Sequence, residues 1–169
     1  MDKNIILANV IAFVASLIPI FIGLLKDKKK ILFGDVSQKV LSCISNIILG
    51  GYTGSVNNVA GIIRNYLCYK DKLSIKSKIL LTIFQVIICL MVGNLTIVNL
   101  FPLIATIFYT FFIVYDAKRL KVLSIITTIL WSIYNLHILS YTAFFFNIFS
   151  IISNVVGLCR LSLSKNDTT

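Results

Sequence analysis

Acidic residues are scarce in this chain. Six aspartates and no glutamate stand against 16 Lys and Arg, and only 13% of the 169 residues are charged. A soluble domain carries about twice that share. No pair of carboxylates is spaced for acid–base chemistry, and Asp35 is the only acid inside a long apolar run. That argues against a proton-relay pump. His137 is the single histidine, and a metal site needs several ligands. No Gly-rich phosphate loop or Ser-His-Asp arrangement occurs. The expectation is a protein that is neither an enzyme nor dependent on a cofactor.

Cys43, Cys68, Cys89 and Cys159 all lie in apolar runs and none forms a CxxC. They read as small buried residues, not as a disulfide framework. Met1-Asp2-Lys3 leads straight into an apolar run, without a basic n-region or a small-residue cleavage site, so a cleaved leader is not expected. No stretch is long and polar enough to make a soluble domain.

What remains is apolar: 58% hydrophobic residues and a mean hydropathy of +0.95. This is the composition of an integral membrane protein. The net charge of +10 does not point to nucleic acid. The cations sit in short clusters between apolar runs, with no basic face interleaved with aromatics. A spanning helix needs about 20 apolar residues. Seven segments qualify: 5–25, 31–50, 52–69, 79–92, 96–115, 122–139 and 141–161. Gly50-Gly51 and Gly93-Asn94 read as turns. The connections after segments 1, 3 and 5 and the end of segment 7 hold 13 of the 16 cations, and the turns after 2, 4 and 6 hold none. The positive-inside rule then puts the N-terminus outside and the C-terminus in the cytosol.

Two stretches match each other. Residues 41–65 laid over 130–154, at an offset of 89, share nine of 25 positions without a gap. Three Asn pairs (Asn46/Asn135, Asn58/Asn147, Asn65/Asn154) and Tyr52-Thr53 over Tyr141-Thr142 fall in register. Shared oiliness gives Leu and Ile matches, but not these. The reading is an internal duplication. Segments 1–3 then repeat as 5–7, with segment 4 left over. Two odd-numbered units separated by one linker helix keep the same orientation. The expected fold is all-α: two parallel three-helix repeats, 1–75 and 95–161, a linker helix in 76–94, and a polar cytosolic tail, 162–169.

This 3+1+3 plan with Asn in the third helix of each repeat resembles the SWEET sugar facilitators and the PnuC vitamin transporters. Gly50-Gly51-Tyr52-Thr53-Gly54, Asn58, Gly61 to Asn65 and Trp131 to Asn135 resemble the bacterial YgjV-type inner membrane family. The resemblance implies a bacterial cytoplasmic-membrane location and a central solute site. In SWEET proteins an Asn pair on the third helices contacts the substrate, and Asn58 and Asn147 match it.

The residues themselves leave choices open. An amide in hydrocarbon must be hydrogen-bonded. Asn46, Asn58, Asn65, Asn135, Asn147 and Asn154 are therefore either pocket donors and acceptors or interhelical glue. Trp131, beside Tyr134 and Asn135, suits stacking on a solute or packing in lipid. Tyr52 and Tyr141 begin helices and read as interfacial anchors, with an outer gate as the alternative. Arg64 reads as snorkelling toward cytosolic phosphates; facing inward, it would bind an anionic group. Asp35 and Lys39, four apart, can pair, as a structural pair or for ion coupling. His137 reads as a satisfied polar residue. The expected function is transport of a small, polar, largely uncharged solute. A partner-binding or stress-related membrane subunit and a lipid or isoprenoid handler are the alternatives.

Overall fold

The computed structural model describes residues 3–92, 96–113 and 116–166, with side chains as far as residue 161. The described residues form seven helices and no strand: α1 (Lys3–Leu24), α2 (Lys28–Ile48), α3 (Tyr52–Tyr69), α4 (Ile75–Val92), α5 (Ile97–Phe112), α6 (Ala117–His137) and α7 (Tyr141–Asn166). The Gly93-Asn94 turn and the last residues of the polar tail lie outside the described residues.

The helix starts differ from the apolar runs for a local reason. Asp27 caps α2 by accepting the Lys30 N–H at 2.9 Å, and Asp116 caps α6 by accepting that of Lys118 at 3.2 Å. Each cap satisfies an otherwise unpaired first-turn donor. Ser74 does the same before α4, accepting from Ser77 N. The basic clusters read as loops are therefore largely first turns of helices. Hydropathy marks where the apolar stretch begins, whereas the cap marks where the helix begins.

Five helices (α1, α2, α4, α6 and α7) are long and apolar enough to cross a membrane. α5 has 16 residues, about 24 Å of helix. α3 is the least oily for its length because it is the most enclosed. Ten of its 18 residues are buried, so Asn57, Asn58, Arg64 and Asn65 meet protein instead of lipid.

Neighbouring helices pack in a closed order: α1 on α2, α2 on α3, α3 on α5, α5 on α6, α6 on α7, and α7 back on α1. α4 packs outside this ring, against α3 and α5. It is tied there by buried Gln85, which donates to Asn57 Oδ1 and Leu103 O, while Asn57 donates to Thr53 O and lies 3.5 Å from Cys89 Sγ. The interior is small and polar and the exterior large and apolar. On α1, for example, Ala8, Ala12, Ala15, Ser16 and Gly23 are buried while Val10, Phe13 and Phe21 are exposed. Small residues let helices approach closely where lipid offers no hydrophobic drive. At the α1–α7 seam, a Cβ on Gly157 would strike Gly23 O and come within 2.8 Å of Lys121 Nζ.

The offset of 89 recurs in the backbone. Asp27 and Asp116, 89 residues apart, each cap a helix, α2 and α6. Gly50 (φ 72°) and Leu139 (φ 59°) both take the left-handed conformation at the turns after α2 and α6. In those turns Leu49 N donates to Ser45 O and Ile138 N to Tyr134 O, Gly51 N to Asn46 O and Ser140 N to Asn135 O, each pair 89 residues apart. The buried faces of α1 and α5 correspond at an offset of 90: Ala12 with Pro102, Ala15 with Ala105, Ser16 with Thr106. Asn9 fastens α1 to the second turn, donating to Leu139 O and accepting from Thr142 N and Oγ1.

Candidate functional site

A cavity of about 90 Å³ lies at the centre of the ring. All six ring helices contribute lining residues and α4 contributes none. At 10–15 Å³ per water, that is room for roughly six waters or a solute of a few heavy atoms.

Two polar stripes run along its wall. On α2 they are Asp35, Gln38, Lys39, Ser42 and Asn46, and on α6 Ser124, Thr127, Thr128, Trp131 and Asn135. Steps of three and four put each set on one helical face. Every member of the second set stands 89 residues after its counterpart. Of these ten, Gln38, Ser42, Ser124, Thr127 and Thr128 were missed in the sequence. Single hydroxyls in apolar runs carry no signal until the repeat lines them up.

Asn46, Asn58, Trp131, Asn135 and Asn147 all reach the cavity wall. Asn65 and Asn154 do not. Asn65 is fully buried, donates to Asp35 Oδ2 and accepts from Arg64 Nε at 2.8 Å. Asn154 donates to Ser150 O and lines a smaller adjoining cavity. They share a helix face with Asn58 and Asn147, but seven residues are about 10 Å along the axis, which carries them below the pocket. Tyr52 and Tyr141, half-exposed at the helix starts, do not line the cavity.

Arg64 does not snorkel. Its side chain is 2% exposed, the guanidinium lies 4.1 Å over the Tyr109 ring, and Nη2 is 3.8 Å from Asp35 Oδ2. Gly61, where a Cβ would come within 2.8 Å of Lys39 Cδ, leaves room for Lys39 to lie inside beside it. Lys39 Nζ sits 3.4 Å from Asp35 Oδ1.

Four buried polar atoms of the lining lack a hydrogen-bond partner: Asn46 Nδ2, Asn58 Nδ2, Arg64 Nη2 and Ser150 Oγ. A buried unpaired donor costs about 1–3 kcal/mol. Four of them around one cavity mark a place where something else supplies acceptors. Asn147 is already engaged, donating to Ser132 Oγ at 2.9 Å.

Along the bundle, different side chains stand on the two sides of the cavity. Toward the basic ends of the helices, Ile31, Leu32, Cys68, Tyr109, Ile113, Leu120 and Leu123 form an apolar cluster. Toward the two turns stands Tyr134, fully buried, edge-on to Trp131, its hydroxyl accepting from Gly54 N at 3.0 Å. Beyond it a second recess is lined by Gly50, Gly51, Asn99, Tyr134 and His137. Sequence reading placed no function on Tyr134. Its counterpart is Ser45, so the repeat gave no signal. Among the described residues no group of three metal-ligating side chains occurs.

These features define a polytopic α-helical membrane protein that encloses a polar cavity. More particularly, the chain belongs to the Imp-YgjV family, bacterial inner membrane proteins, whose family model matches residues 6–165. No curated protein and no solved structure matches it.

Proposed function

We propose that this protein carries a small polar solute across the bacterial inner membrane by alternating access. Helices α1–α3 rock against α5–α7 about the central cavity, and α4 is the linker that gives the two units the same orientation. The N-terminus is outside, and the basic ends of the helices face the cytosol. The observation that carries the reading is the set of unpartnered donors around a cavity built from repeat-related stripes. Amides serving only as glue would satisfy one another, and Asn58 Nδ2 has no partner. The repeated caps and turns and the closed helix order support the two-repeat plan. The seams obey a twofold: α1 on α7 corresponds to α5 on α3. Asn58 and Asn147 hold the solute and Trp131 packs on it.

The test needs no known solute. In a variant free of native cysteines, Ser42→Cys is challenged with a membrane-impermeant maleimide in spheroplasts and in inverted vesicles. Labelling from both sides is expected. Labelling from neither removes the wet cavity, and labelling from one side only reduces it to a fixed pocket. Once a solute is found by thermal-shift screening of sugars, vitamins, nucleosides and amino acids, Asn58→Ala and Asn147→Ala abolish its uptake with expression intact.

A further inference from the structure

We infer that the solute is a small monoanion of the carboxylate class, bound at Arg64. This inference rests on the transport reading above and departs from the uncharged solute expected from sequence. That expectation came from Trp131 beside amides, with an anionic group as the alternative should Arg64 face inward, as it does.

The charge around the cavity is unbalanced. Asp35 is the only carboxylate there among the described residues, and it is shared. Lys39 sits 3.4 Å from Oδ1, and Asn65 donates to Oδ2. Arg64 Nη2 is 3.8 Å from Oδ2, beyond hydrogen-bond length. Asp35 offsets one cation, and a second remains. A smaller cavity shares Pro19, Asp35, Tyr109 and Ser124 with the large one and adds a third cation, Lys121, whose ammonium donates to Gly23 O. On the large cavity itself one carboxylate therefore faces two cations, Lys39 and Arg64, an excess of one inside a membrane bundle. An uncompensated charge out of water is costly, and a bound anion relieves it.

Arg64 is also presented for such a ligand. Asn65 takes Nε–H, the Tyr109 ring supports the guanidinium from one side, and Nη2 stays unpartnered on the cavity wall. A planar, fixed guanidinium is suited to an oxyanion. The other unpartnered groups agree in sign. Asn46 Nδ2 and Asn58 Nδ2 are donors and Ser150 Oγ can be one, so the pocket offers hydrogens and needs oxygens. The space, about 90 Å³, fits a compact carboxylate with one or two further oxygens.

Acetate and acetamide, equal in shape and different in charge, serve as probes. The full-length protein is purified in detergent at constant ionic strength, and thermal stability is measured against each. A ligand of the folded state raises stability by mass action. Acetate is expected to give a saturable rise and acetamide none. Arg64→Gln weakens the acetate effect by on the order of tenfold or more. Arg64→Lys retains part of it, and Asp35→Asn strengthens it because the competing carboxylate is gone. The wild-type comparison stands even if a variant does not fold. No rise with acetate, an equal rise with both probes, or an acetate effect that survives Arg64→Gln overturns the assignment. The transport reading fails separately, on the thiol-access result. If Ser42→Cys is labelled from both sides and acetate does nothing, the cavity remains a transport site for a neutral solute.

Discussion

Replacing Tyr134 with Phe removes one oxygen from the point where α6 reaches across to the start of α3. That oxygen accepts the Gly54 N–H at 3.0 Å. Gly54 is the third residue of α3, and the N-cap, Gly51, supplies no side-chain acceptor. The N–H is one of the donors that a helix start leaves unpaired, and Tyr134 is fully buried, so no water takes its place. An orphaned buried donor costs about 1–3 kcal/mol. Polar pairs between membrane helices average nearer 0.6 kcal/mol. A loss of about 1–2 kcal/mol is therefore expected, read by reversible unfolding in mixed micelles. In the proposed transport arrangement the bond also joins the two three-helix units at their outer end. If it exists only in the closed arrangement, losing it shifts the equilibrium toward an outward opening by about tenfold for each 1.4 kcal/mol. Ser42→Cys is then labelled faster from outside and not from the cytosolic face. Gly54→Ala is the companion. Ala normally gains about 1 kcal/mol over Gly inside a helix, but here its Cβ would lie 2.6 Å from Tyr134 Cε1 and from Asn46 Nδ2. The sign is expected to reverse, to a loss of about 1–3 kcal/mol from overpacking. A Tyr134→Phe protein as stable as the wild type, with unchanged labelling from outside, would refute the closure.

Two further predictions concern the frame. Gly157→Ala drives a methyl into Gly23 O at the α1–α7 seam and toward Lys121 Nζ; since backbone cannot yield as a side chain can, a loss above about 2 kcal/mol is expected in the same unfolding assay, and a neutral result would show the seam to be loose. Leu139 holds φ 59° while 44% exposed, a conformation that costs a non-glycine residue about 1–2 kcal/mol. Leu139→Gly is expected to stabilise by about 0.5–1 kcal/mol after the greater entropy of unfolded glycine is deducted, whereas Gly50→Ala destabilises by about 1 kcal/mol. Opposite signs at two positions 89 residues apart test the shared turn geometry, and equal signs would discredit it.

How much could be read in advance differs by residue. Asn46, Asn58, Asn135, Asn147 and Trp131 were legible as cavity candidates because a polar group inside an apolar run is conspicuous and the repeat paired them. Asn57 was set apart from Asn58 by the repeat, which matches only Asn58 with an amide, Asn147, and sets Asn57 against Phe146. One turns to Gln85 and α4, the other to the cavity. Arg64 was legible as an unusual charge, but its direction was not. A long side chain reaches either headgroups or interior, and only its contacts with Tyr109, Asn65 and Asp35 decide between them.

The sequence by itself determined the membrane class, the seven helices and the doubled pattern of polar residues. Hydropathy and periodicity are local properties that every segment carries alone. Tertiary structure decided that six helices close a ring while the seventh stays outside. It also decided that three basic side chains and one carboxylate share the interior, and that a tyrosine with no repeat partner ties α6 to the start of α3. Those outcomes depend on how each helix is rotated against its neighbours. That rotation is set by where small residues permit close approach, a relation between distant segments that no single stretch contains.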